Sequence, residues 1–361
     1  MPRTVNAVDF WRGFALVTIF INHIPGIIYG WITHRNISFS DSAELFVFLA
    51  GWSLRHVVGP TDDPRPLQHV IYRVGGRAIT IYAAHMTIVM LAIAMLAISA
   101  RLSENPLLLE WHNAAAVFQD PARAHIGLVA LSYQLGYFDI LPLYVVLMLT
   151  AAPLVAILHR TAPGLLLPLS ALIYLSALVF KITVPTWPTQ GQWFFNPLCW
   201  QFVFVLGFSM SRERGPGGWV RANIGLVRLV AAPIVVVGAV AVLMRWWPDP
   251  TKVPEPKLLF IAGKTFVTPL RLGHFLAVVA VFSAVFPWLV RGIPGIVGFL
   301  SMLGRNSLNV FCAGSLLSLA AQIFHFVFGR GVVIDTLLVV AGILIMGATA
   351  WLSEWRERAR S

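Results

Sequence analysis

Long apolar runs, separated by short polar breaks, fill most of this 361-residue chain. Many runs approach the ~20 residues a helix needs to cross a bilayer, and the breaks gather glycine, proline and charge. We read about ten spans on that length criterion. The first covers about residues 8–29 and the second 41–58. Between 59 and 67 the prolines forbid a continuous helix, because each lacks an amide donor and crowds the preceding turn. The third span, 69–99, is longer than a bilayer requires and predicts tilt. The fourth and fifth cover 136–158 and 165–180, and the sixth ends near Met210. The seventh ends near Trp246 and Trp247, the eighth begins near Arg271, the ninth near Met302, and the tenth covers 332–351. Residues 100–134 are too polar to span, and Leu107, Leu108, Leu109 and Trp111 predict a piece lying on the membrane or over the core. No internal repeat is visible. The expected fold is all-α: one polytopic membrane domain over residues 1–361.

Composition supports this. The chain is 58% hydrophobic and 11% charged, with a mean hydropathy of +0.78, about half the charge of an ordinary soluble domain. The net charge of +11 does not indicate nucleic acid, because the basic residues sit between apolar runs, where they encode topology. With the N-terminus inside, fifteen Lys/Arg, including Arg3 and Arg360, fall on the inner side, and ten fall outside. Both termini are therefore expected in the cytoplasm. Cys199 and Cys312 both lie in spans, so no disulfide framework is implied. The first apolar segment lacks a small-residue cleavage site and reads as a span rather than a signal peptide.

That first segment carries the chemistry. Arg12 and His23 are eleven positions apart, roughly 16 Å of helical rise and within about 20° of three whole turns. They share one helical face at two depths, and ionisable groups in a span commonly mark a reaction site or pathway. A neutral imidazole can accept a hydroxyl proton and return it to a leaving group. Packing against a backbone carbonyl is the competing role for His23. Asp41 and Glu44 open the second span at a similar depth. They form either a capping pair or the carboxylate that orients His23, as in a catalytic triad. Asp139 is a second possible partner.

Arg73 and Arg77 lie on adjacent turns of one face. They read as positive-inside anchors or as a phosphate site, for which arginine is suited. His85, further along that helix, is placed to line a channel. Arg271 and His274 enter the eighth span from outside. Trp193 and its aromatic neighbours read as an interfacial belt, whose faces also suit sugar rings. There is no metal-ligand spacing, Walker loop or nucleophile elbow, so no resident cofactor or metal is expected.

Several stretches together resemble a known family. They are Asp9-Phe-Trp-Arg12-Gly13, Asn22-His23-Ile-Pro25, Ser40-Asp41-Ser-Ala-Glu44, Leu141-Pro142-Leu-Tyr144, Asn196-Pro197, Leu270-Arg271-Leu-Gly-His274 and Gly304-Arg305-Asn306-Ser307. The chain is similar over nearly its whole length to OpgC-type proteins, bacterial inner-membrane enzymes that succinylate osmoregulated periplasmic glucans. Their parent group is the membrane-bound acyltransferase type 3 superfamily, marked by an arginine and a histidine with ten residues between. Arg12 and His23 fit that spacing. The inner-end arginines of the superfamily's third span are matched by Arg73 and Arg77, with Val-Gly-Gly between. The resemblance implies a ten-helix core, a cytoplasmic acyl-CoA donor, a glucan acceptor outside, and an inner-membrane location.

Taken together, His23, Glu44 and Asp41 are the expected catalytic group. Arg12, Arg73, Arg77, His85, Asp139, Trp193, Asn196, Arg271 and His274 are the expected substrate-binding set. A carbohydrate or lipid-linked transporter and a non-catalytic acyl-CoA sensor are the competing functional classes. A transporter would more often show internal repeats or helices broken at mid-membrane.

Overall fold

The computed structural model describes residues 5–60 and 62–359; Arg3 and Arg360, counted above for topology, lie outside them. Among the described residues sixteen α-helices follow one another. The first five are α1 (Ala7–Asn22), α2 (Ser42–Val58), α3 (Leu67–Leu102), α4 (Ala115–Gln119) and α5 (Pro121–Val129). Then come α6 (Ile140–Leu149), α7 (Ala151–Thr161), α8 (Leu166–Val179), α9 (Pro197–Ser211), α10 (Pro216–Ala222) and α11 (Ile224–Leu243). The chain ends with α12 (Pro269–Phe282), α13 (Phe286–Gly292), α14 (Pro294–Arg305), α15 (Ser307–Phe328) and α16 (Val332–Arg358). Among the described residues there is no strand, only one bridge between Pro185 and Gln192.

Five segments are long and apolar enough to cross a membrane: α3, α6 with α7, α11, α15 and α16. The α12–α13 pair, bent by 46°, makes a sixth if counted as one span. The expectation was about ten. The remaining apolar segments are short: α1 and α2 have 16 and 17 residues, and α8 and α9 have 14 and 15. At 36 residues, α3 is roughly 54 Å long, well beyond a ~30 Å hydrocarbon core. Residues 100–134 fold over the bundle, burying Leu108, Val117 and Leu128.

The helices that carry the candidate chemistry are the most closely packed. Gly13 of α1 faces the Leu300 carbonyl of α14, and Gly304 of α14 faces the Asp9 carbonyl of α1. Gly51 of α2 and Gly207 of α9 make the same reciprocal approach, to the carbonyls of Phe204 and Phe48. A Cβ at any of the four would overlap a backbone oxygen. Paired small residues bring helices this close in membrane bundles. They fix α1 and α2 against the rest of the bundle and therefore fix what those helices display.

Candidate active site

α1 presents its two ends to two different cavities. Near its N-terminal end, Arg12 lines a cavity of about 500 Å³ together with Arg73 and Arg77 of α3, Ser53 of α2, Tyr144 of α6 and Ser307 of α15. Among the described residues no carboxylate lines it. Arg12 donates through Nη2 to the Leu49 carbonyl at 2.9 Å and to Ser53 Oγ at 2.7 Å, so it ties α1 to α2 while facing the cavity. Arg73 and Arg77 make no ion pair among the described residues. Three cations without a facing acid form a ready site for a polyanion.

At the other end, α1 stops where Pro25 disfavours helix in the residue before it. His23 is the C-cap residue. Its carbonyl accepts from Gln322 Nε2, and its ring packs on Tyr137 with centroids 4.6 Å apart. Nδ1 is buried without a hydrogen-bond partner. His23 lines a second cavity of about 910 Å³ with Asn22, Asp41, Tyr137, Asp139, Lys264 and Arg271. Trp31, Phe39, Phe194, Phe195 and Trp247 give that cavity an aromatic wall. The mouth is wide enough to leave Trp31 and Trp247 exposed.

The carboxylates at the start of α2 engage cations rather than the imidazole. Asp41 caps α2, accepting from the Ala43 amide at 2.9 Å, while Glu44 accepts from the Asp41 amide at 2.9 Å. Asp41 also pairs with Lys264 at 2.6 Å and Arg271 at 3.1 Å. Glu44 is fully buried and pairs with Arg271 Nε. Capping and ion pairing occupy both side chains, and among the described residues no hydrogen bond joins either to His23. Lys264 also stands 5.6 and 5.5 Å from the ring centroids of Phe194 and Phe195.

The other expected substrate-binding residues divide. Asp139 and Arg271 line the histidine cavity. His274 stands just behind it, with Nδ1 3.2 Å from Ser38 Oγ and its ring against Phe39. Asn196 is buried and works as a cap: it accepts from the Leu198 amide at 3.1 Å and donates to the Ile182 carbonyl at 2.7 Å. Trp193 and His85 are buried and line neither cavity. His85 has both ring nitrogens unpartnered.

Two neighbours of His23 escaped the sequence reading. Tyr137 and His112 both have positive φ, 68° and 55°, a region that non-glycine residues visit uncommonly. Their rings are 5.0 Å apart, and the Gly136 amide donates to the His112 carbonyl at 2.8 Å. Residues 100–134 carry no period that would announce such a turn, and Tyr137 fell inside the span expected over 136–158. Arg35 and Arg245, both exposed at the rim of the histidine cavity, were counted only as topological charges.

α1 therefore carries an arginine on one cavity, lined by basic residues, and a histidine on another, lined by aromatic ones. The five long apolar segments fit a multi-pass membrane protein. The chain belongs to the OpgC family: the family model described as OpgC protein matches residues 3–358, nearly the whole sequence. No curated protein and no solved structure matches it.

Proposed function

We propose that this protein is an acyl-CoA-dependent O-acyltransferase of a bacterial inner membrane, moving a succinyl group to glucose hydroxyls of an osmoregulated periplasmic glucan. The observation that carries this reading is the division of labour along α1. Arg12 opens on a cavity without carboxylates, and His23 opens on a larger aromatic one. Membership of the OpgC family supports the same chemistry.

In this reading the arginine cavity faces the cytoplasm and holds the phosphates of acyl-CoA through Arg73 and Arg77, with Arg12 at its deeper end. Both termini are then cytoplasmic. The sugar rests on the aromatic wall of the other cavity. An imidazole nitrogen of His23 takes the proton of the acceptor hydroxyl as its oxygen attacks the thioester carbonyl. The carbon–sulfur bond breaks, the ester forms, and the proton passes to the sulfur to give free CoA. Tyr137 packs against the imidazole and limits its rotation. Asp41 and Glu44 hold Lys264 and Arg271 in place. Arg35 and Arg245 have no acidic partner among the described residues and are placed to meet the free carboxylate of a succinyl group, for which Lys264 and Arg271 are already neutralised.

The test is direct. The purified full-length chain is mixed with labelled succinyl-CoA and periplasmic glucan, and CoA release and glucan labelling are followed. Both are expected with the wild-type protein and neither with His23→Ala. A wild-type protein that carries glucan across a vesicle membrane but releases no CoA is a transporter, and the reading fails.

A further inference from the structure

The two cavities meet at one residue. Among the described residues they share a single lining side chain, Phe311 of α15. Phe311 is 2% exposed. Its ring lies nearly parallel to that of Phe46, with centroids 6.2 Å apart and planes at 25°. Phe46 in turn meets Tyr144 edge-on at 5.6 Å. Phe311 of α15 thus borders both cavities, and Phe46 of α2 and Tyr144 of α6 continue the ring cluster along the arginine cavity.

One atom of the cluster has no packing explanation. The Tyr144 hydroxyl is buried and has no hydrogen-bond partner among the described residues, while the residue is 7% exposed and lines the arginine cavity. A buried hydroxyl without a partner forfeits its water hydrogen bonds for nothing, at an appreciable cost in stability. Phenylalanine at this position would fill the same space without that loss. An unpaired donor beside Arg12 and Arg77, at the edge of an otherwise apolar wall, is what a carbonyl passing that wall would need.

We infer that the Phe46–Phe311–Tyr144 cluster is the point at which the acyl thioester crosses to His23, and that the Tyr144 hydroxyl donates a hydrogen bond to a carbonyl of the acyl-thioester arm there. The inference rests on the proposed acyl transfer and adds to it a specific donor-binding group and a specific crossing point. Phe311 is the element that must swing aside. With the ring closed, water and acceptor in the large cavity are kept from the thioester. With it open, the thioester reaches the imidazole. The arrangement favours transfer to sugar over transfer to water, since the wall excludes water until the acyl group is delivered.

The experiment uses the full-length wild-type chain, Tyr144→Phe, Phe311→Ala and Phe311→Trp, with labelled succinyl-CoA and periplasmic glucan. For Tyr144→Phe we expect kcat/KM for the donor to fall about tenfold or more, with KM for the glucan unchanged and the melting temperature equal to or above wild type. A purely structural tyrosine would lower the melting temperature and disturb both substrates. For Phe311→Ala we expect thioester hydrolysis without glucan to rise severalfold, water attacking the carbonyl and leaving succinate and CoA. For Phe311→Trp we expect succinyl-CoA to bind normally and transfer to be lost. If the wild-type chain transfers succinyl groups and Tyr144→Phe does so equally well, the role given to Tyr144 is wrong. Unchanged hydrolysis in Phe311→Ala together with normal transfer in Phe311→Trp rejects the crossing point. A wild-type chain that neither binds nor consumes succinyl-CoA overturns the proposed function itself, and this inference with it.

Discussion

The two cavities hold their charge in opposite ways. Around Arg12, Arg73 and Arg77 no carboxylate among the described residues lines the wall, so three cations line it without an acidic partner there. Around His23, Lys264 and Arg271 are neutralised within the protein by Asp41 and Glu44. Cations without an acidic partner keep their full attraction for an incoming anion. A satisfied buried cluster gains nothing from a ligand, but collapses if one member is removed. The basic cavity is therefore built to bind, and the ion cluster beside the histidine is built to hold α2 and α12 in register. The histidine cavity instead offers aromatic faces and two rim arginines, Arg35 and Arg245.

That contrast can be broken most sharply at the imidazole. His23→Ala is expected to lower acyl transfer by about 10²–10⁴-fold, the usual worth of a positioned general base, with succinyl-CoA affinity within twofold of wild type (on the order of the assay error). Equilibrium dialysis beside the rate assay checks this. Lost donor binding would mean that the cavities do not act separately.

Glu44→Ala is expected to act on stability. Leaving Arg271 buried with a lone partner should cost about 3 kcal/mol, seen as an earlier unfolding midpoint in detergent, with the acceptor KM of surviving protein little changed. If Glu44→Ala keeps its midpoint and loses only rate, the carboxylate belongs to the catalytic group after all.

Replacing Arg73 or Arg77 with alanine should raise the donor KM roughly tenfold each, the size of a lost charge-assisted hydrogen bond. The effect should shrink as salt rises, because these groups are exposed and screened. The acceptor KM should not move. Trp247→Ala should give the reverse pattern and the smallest change, an acceptor KM up roughly three- to tenfold with donor kinetics intact. If Arg73→Ala and Trp247→Ala gave the same profile, the assignment of one substrate to each cavity would be wrong.

Much of this layout was legible in the sequence because it depends on local rules. The 3.6-residue turn alone puts Arg12 and His23 on one face at different depths. Asp41 followed by Glu44 three residues on is a capping pair by spacing, and the structure forms it. The expected all-α fold is present. The span count was less legible. Apolarity marks a segment as buried, but a bundle interior is as apolar as lipid, and α1, α2 and α9 fall short of the spanning length.

What the sequence determined by itself was the all-helical character, the family, and the pairing of an arginine with a histidine along the first helix. The first follows from composition, the second from a resemblance carried by motifs along nearly the whole chain, and the third from residues close together in it. Only the tertiary structure decided which residues meet across it. Glu44 is bound to Arg271, 227 positions away. His23 packs on Tyr137, and Asn196 caps a helix rather than facing a cavity. Above all, Phe46, Tyr144 and Phe311 stand together where the two cavities meet. Such contacts join helices remote in sequence, and their partners are chosen by how the glycine-paired helices pack, which no periodicity within one segment records.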